Sequence, residues 1–226
     1  MKQHVLQIEI PEGQRWYGSD FRRMVGEAHM GSLDPALFNK DSENRPLNQK
    51  PPCRFMCSRK QATFVSEREE GMMDVAMVMP HALKAAQKQF ATQSVNIKTF
   101  SVEKRLYVSE RPRQYRLIDA LKKARKPGAR ARTPEEQITL LIRDELERAY
   151  QDGLILDLPE ADELGIKVFD VREIGKKIVP EGGEYGSLFS AMVMMDIDLK
   201  GFWQVGSLTA KGCGRLVPAW KGGENV

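Results

Sequence analysis

KRLYVSERPRQYRLIDALKKARKPGARAR, residues 104–132, is the stretch around which the rest of the chain divides. Eleven of its twenty-nine residues are basic: Lys104, Arg105, Arg111, Arg113, Arg116, Lys122, Lys123, Arg125, Lys126, Arg130 and Arg132. Only Glu110 and Asp119 are acidic, so the segment carries +9 while the whole chain carries +4 and the remainder −5. Positive charge gathered in one place marks a phosphate-bearing partner. Within the segment, QYRLIDALKKARK (114–126) sets Leu117, Ile118, Leu121 and Ala124 at helical spacing, with Arg116, Lys122, Lys123 and Lys126 on the other side. That pattern predicts an amphipathic basic helix, one face docked and the other available for binding. Pro127 and Gly128 stop it, and GARAR follows as a flexible basic hinge. An isolated charge run is commonly just a solvated face, but Tyr107 and Tyr115 interleaved among the cations favour nucleic acid.

Working outward, residues 1–103 predict the order βαββαβ. HVLQIEI alternates as a strand, PEGQRWYG turns, and Ser19 caps a helix, SDFRRMVGEAHM, that Gly31 ends. A long polar loop spans 32–51. CRFMCSRKQATFVS reads as extended or a hairpin, and GMMDVAMVM as a buried strand. Pro80 starts a helix, PHALKAAQKQFA, and SVNIKTFSV returns as a strand. This is the ferredoxin-like arrangement, with both helices on one face of an antiparallel sheet. Beyond the basic stretch, Thr133, Pro134 and Glu136 spell a capping box, and Ile138, Leu141, Ile142, Leu146, Ala149 and Tyr150 form the buried stripe of the helix that follows. SLFSAMVMMDIDL and GFWQVGSL read as strands, and Gly206, Gly212 and Gly214 bracket a loop before RLVPAW. The expected fold class is α+β, with a ferredoxin-like domain over 1–103 and an α/β domain over 104–226 that carries the nucleic-acid-binding basic stretch.

Composition narrows the function. At 226 residues and 41% hydrophobic content the chain can bury a core. Its longest apolar runs are too short to span a bilayer and the N-terminus lacks a signal-peptide core, which predicts a cytoplasmic protein without membrane contact. Cys53, Cys57 and Cys213 offer at most three thiolates and read as small buried hydrophobes, so no metal or cofactor is expected.

Two places can carry chemistry. On the first helix Phe21, Met24, Val25 and Ala28 face the core, while Arg22, Gly26 and His29 share the edge stripe. An imidazole there takes a proton from a ribose 2′-hydroxyl and a guanidinium holds the receiving phosphate; a lone His near a helix end is also a common structural residue. In GSLTAKGCGRLVP, Gly206, Gly212 and Gly214 flank Lys211 and precede Arg215, so backbone N–H groups and cations converge where phosphate oxygens can approach. The segment matches neither the nucleotide-phosphate loop nor the dinucleotide fingerprint.

These features together resemble one family. GEAHMG, SERPRQYRLIDALKKARK and FWQVGSLTAKGCGRLVPAW are similar to motifs of the CRISPR repeat-processing endoribonucleases of the repeat-associated (RAMP) superfamily, nearest to its type I-F and type IV branches. The resemblance implies a metal-independent endoribonuclease that cuts precursor CRISPR RNA within repeats by 2′-hydroxyl attack. It implies His29 as general base, Ser187 or Ser190 as the assisting serine, and Arg22 and Arg23 as further catalytic candidates. The product hairpin would be kept, making precursor and mature CRISPR RNA and the backbone subunits of an interference complex the partners. The alternatives are a non-catalytic RNA-binding subunit of such a complex and a basic housekeeping RNA-binding protein.

Overall fold

The computed structural model describes residues 1–28, 31–43, 45–47, 49–92, 94–122, 132–155, 159, 163–178 and 185–219. The chain forms two compact units: residues 1–104 with Leu208–Gly212, and residues 105–207 with the stretch from Cys213 onward. Among the described residues it is α+β, with three α-helices and two antiparallel sheets.

The first unit comprises β1 (Lys2–Glu9), α1 (Gly18–Ala28), β2 (Cys53–Cys57), β3 (Gln61–Ser66), α2 (Gly71–Phe90) and β4 (Ile97–Glu103). Its sheet order is β2-β3-β1-β4 with antiparallel neighbours, the ferredoxin-like order. Alternation along β1 and β3 sends Leu6, Ile8, Ala62 and Phe64 to one face, where they pack with Phe21 and Val25 of α1 and Val78, Ala82 and Ala86 of α2. Trp16 and Phe21 (4.6 Å between rings) and Phe21 and Phe55 (5.4 Å) fill the space between helix and sheet. The polar loop is anchored by a 3-10 turn, Pro35–Phe38, whose Leu37 and Phe38 are buried.

One expectation fails here. GMMDVAMVM is no strand; it is the first half of α2, which runs through Pro80 without ending. Helical spacing buries Gly71, Asp74, Val75, Val78, Ala82, Ala85 and Ala86, but the outward face is apolar too, with Met72 and Met73 more than 60% exposed. Apolar residues on both faces hide the helical period, and Pro80 stands inside the helix on its exposed side.

The second unit holds β5 (Arg105–Lys122), α3 (Pro134–Gln151), β6 (Lys167–Ile178), β7 (Tyr185–Lys200), β8 (Trp203–Gln204) and β9 (Arg215–Pro218), in the sheet order β6-β7-β5-β9-β8. The capping box of α3 forms as read: Thr133 Oγ1 accepts from the Glu136 N–H at 3.2 Å, and Glu136 Oε2 accepts from the Thr133 N–H at 2.9 Å. Ile138, Ile142, Leu146 and Ala149 pack against Leu117, Ala191, Val193 and Met195. Tyr150, expected in that stripe, is exposed, and Glu145 is buried instead, 3.4 Å from Arg148.

The larger correction concerns the basic stretch. Residues 114–122 are strand, not helix, and lie within the long β5; residues 123–131, the rest of the expected basic helix and hinge, lie outside the described residues. Tyr115 and Leu117 point into the core as strand alternation requires, and then the register against β7 slips between Leu117 and Ala120, with Asp119 at φ 56°. The bulge inserts an extra residue, so Leu117 and Ala120 face the same core, while Leu121, on the opposite face, is buried as well and pairs with Ser207. A spacing of three and four residues within a bulged strand imitates a helical face.

Candidate nucleic-acid interface

The cations of the basic stretch part company once the chain is folded. Lys104 is buried, its Nζ 3.0 Å from Glu67 Oε1, in a cluster with Arg54 and Gln3 at one end of the first sheet. It holds the fold and is not presented to a ligand. Tyr115, read as one of the interleaved aromatics, is likewise buried: its hydroxyl donates to the Ile197 carbonyl and accepts from the Leu199 N–H, both at 2.9 Å, and burial pushes its phenol up to about 12. Arg105 and Arg111 are exposed, Arg105 Nη1 standing 3.4 Å from the Tyr107 hydroxyl. Arg113 is half-buried, 3.8 Å from Asp198. Arg116 is exposed on the face of the sheet turned away from α3, Lys122 closes the strand, and Arg132 is exposed just ahead of α3. Lys123, Arg125, Lys126 and Arg130 lie outside the described residues.

His29 also lies outside the described residues; α1 ends at Ala28. Arg22 is half-buried, donates to the Phe38 carbonyl and lies 5.6 Å over the Phe38 ring, and burial pulls its pKa below the ordinary value. Its guanidinium ties α1 to the 3-10 turn. Arg23 is exposed and sits between Glu27 (2.9 Å) and Asp20 (3.6 Å). Beside the end of α1, a groove of about 190 Å³ is lined by Met24, Glu27, Ala28, Lys84, Ala85 and Lys88. His81 of α2 stands there too, its Nδ1 3.3 Å from the Ala28 carbonyl.

Ser187 and Ser190 are both on β7, three residues apart along a strand, and therefore on opposite faces of it. Ser187 shares the α3 side with Phe189 and Ala191 and donates to Glu173 at 2.8 Å. Ser190 pairs with Arg172 on the other side. The fold does not bring the two serines together.

The glycine loop is built by close approach. A Cβ on Gly214 would sit 1.7 Å from the Val205 carbonyl oxygen, and one on Gly212 2.9 Å from the Phe55 carbonyl oxygen, both at positive φ. The Gly212 N–H bonds to Thr209 O and the Gly214 N–H to Asp119 O, each at 3.0 Å. Those two donors serve the chain itself rather than a phosphate. Gly206, at φ 84°, lies against the Leu121 carbonyl. Lys211 and Arg215 are half-buried beside this loop. Cys53 and Cys213 are buried and Cys57 half-buried, and burial pushes the Cys53 thiol up to about 12. Among the described residues no three His, Cys, Asp or Glu side chains cluster as metal ligands, and no helix is long and apolar enough to cross a membrane.

With its two antiparallel units, the chain has the fold of solved Cas6 proteins. The fold is similar to that of a Cas6b at TM-score 0.63 and 12% identity, over 97% of this chain and 100% of that one. It is similar to a Thermus thermophilus Cas6 at TM-score 0.52 and 13% identity, over 96% and 98%. The likeness is greater, at TM-score 0.83 and 19% identity over 97% and 100%, to Csf5, described as a CRISPR-Cas type IV Cas6 crRNA endonuclease. A family model described as type IV CRISPR-associated endonuclease Csf5 matches residues 1–221, and the chain belongs to that family. No sequence among the curated proteins matches it.

Proposed function

We propose that this protein matures CRISPR RNA, cutting the precursor within each repeat without a metal ion and keeping the repeat hairpin as a subunit of the interference complex. The observation that carries this reading is the family match along residues 1–221. In the proposed step the ribose 2′-hydroxyl upstream of the cut attacks the adjacent phosphorus as a general base takes its proton. The bond to the 5′-oxygen breaks, that oxygen is protonated, and the products are a 2′,3′-cyclic phosphate and a 5′-hydroxyl. His29, directly after α1, is the candidate base; an imidazole titrates near neutral pH and suits both proton transfers. Arg23 is the exposed cation of the same helix and the candidate partner of the phosphate. Arg22, committed to Phe38, supports the site by fixing the end of the loop.

The test is incubation of purified protein with end-labelled repeat RNA in EDTA, beside the same RNA carrying a 2′-deoxy nucleotide just upstream of the cut. Cutting that persists in EDTA and stops at the deoxy substrate supports the mechanism; a magnesium requirement or cleavage of the deoxy substrate overturns it. The alternative, a non-catalytic RNA-binding subunit, draws support from the internal commitments of Arg22 and Ser187. It predicts binding of the repeat without any product.

A further inference from the structure

We propose that the outer face of the second unit's sheet, turned away from α3, takes up a single-stranded segment of the RNA, with Phe169 as a stacking residue and Arg116 and Arg172 as phosphate contacts. The proposal rests on the RNA-binding reading above. Directly paired residues of antiparallel strands share a face. The register therefore aligns Phe169 of β6, Met192 of β7, Arg116 of β5 and Val217 of β9 in one row across four strands. Arg172 faces Ser190, and Arg215 faces Ile118, in the direction of the bulge. Lys167, opposite Met194, completes the face.

Phe169 and Arg172 are three residues apart and in an unbroken strand would point in opposite directions. The register slip between them, with Asp170 at φ 50°, brings them back to one side. The resulting surface is mixed: Phe169, Met192, Met194 and Val217 are half-buried, while Arg116, Arg172 and Lys167 are exposed. Neither Arg116 nor Arg172 makes an ion pair with another described residue, whereas Arg54, Arg68 and Arg148 all do. The acids of this face, Asp196 and Asp198, stand further along β7, and Asp198 has Arg113 3.8 Å away. An aromatic ring on a sheet with flanking arginines fits unpaired bases, which stack on the ring while the cations follow the backbone. A duplex hides its base faces and would use only the cations.

The experiment measures binding of the intact protein to two labelled RNAs: a blunt hairpin, and the same hairpin with a short oligouridine tail. The wild type should bind the tailed RNA more tightly. Phe169→Leu, which keeps apolar volume at a half-buried site, should weaken tailed binding about ten-fold and leave the blunt hairpin nearly unchanged, while Phe169→Tyr should retain it. Joint replacement of Arg116 and Arg172 by Gln should lower the salt slope for the tail by about 0.7 for each phosphate no longer neutralised. If Phe169→Leu binds the tailed RNA as the wild type does, or if the wild type does not distinguish the two probes, the proposal is overturned and RNA binding stands. If the wild type binds neither probe, the RNA-binding reading falls and takes this one with it.

Discussion

Glu67 is the acid shared by the polar cluster at the end of the first sheet. Its carboxylate accepts from Gln3 Nε2 at 2.7 Å, lies 3.0 Å from Lys104 Nζ and pairs with Arg54 Nη2, and all three charged side chains are at most 8% exposed. Burial works against its charge, but the two cations and Gln3 outweigh it and hold the carboxyl at about 2, against an ordinary 4.5. That difference corresponds to about 3 kcal/mol of folding stability. Because the folded value is the lower one, this stability is complete above about pH 4.5 and is lost as pH falls toward 2. Glu67→Gln removes the anion and leaves Arg54 and Lys104 buried together, a loss of about 3–5 kcal/mol at pH 7. Urea unfolding followed by circular dichroism should therefore show a gap between wild type and variant that narrows by about 3 kcal/mol between pH 5 and pH 2. Adding Lys104→Met to Glu67→Gln should restore part of the loss. A variant as stable as the wild type at pH 7, or a gap that does not change with pH, would show that the cluster contributes nothing.

Tyr115→Phe leaves the Leu199 N–H and the Ile197 carbonyl without their buried partner and should cost about 1–3 kcal/mol in thermal unfolding, although it removes a single oxygen. Gly214→Ala forces a methyl into the Val205 carbonyl and should cost about 3–5 kcal/mol, while Gly153→Ala, at φ 68° with open space around it, should cost about 1 kcal/mol; equal melting temperatures for the two variants would contradict the close approach. Replacing Arg111 and Arg116 by Gln should reduce the slope of log affinity against log salt for repeat RNA by about 0.7–0.9 for each phosphate no longer neutralised, whereas the exposed pair Lys60 and Lys98 should leave it unchanged. His29→Ala should slow cutting by about 10² to 10⁴-fold with little change in RNA affinity; a wild-type rate in single-turnover assays would return His29 to a structural role.

Local signals were legible wherever one face of an element was buried and the other wet. The capping box at Thr133 and Glu136 and the core stripe of α3 through Ile138, Ile142 and Leu146 could be read directly, as could the apolar length of β7, and β1 was legible as a strand although residues 3–6 are buried on both faces. They failed where that contrast was absent or shifted. The apolar outer face of α2, with Met72, Met73 and Met79, erased the helical period and turned half of a helix into an expected strand. The bulge at Asp119 gave the opposite error, lending a strand the spacing of a helix. Candidate site residues were legible as types but not as roles. Nothing local distinguishes Lys104, buried on Glu67, from Arg116, exposed on a sheet face, since both stand in the same basic run.

The sequence by itself determined the α+β class, the concentration of positive charge in residues 104–132 and the likeness to CRISPR repeat-processing proteins, because periodicity, capping chemistry and charge are properties of neighbours along the chain. Tertiary structure alone decided which of those charges meet solvent. It buried Lys104 and Tyr115, held Arg22 on the Phe38 carbonyl and set Ser187 and Ser190 on opposite faces. It also aligned Phe169, Arg172 and Arg116, distant in sequence, on one surface. Strand register and the phase of its bulges are fixed only when strands far apart in the chain pair, and that pairing determines where each side chain points.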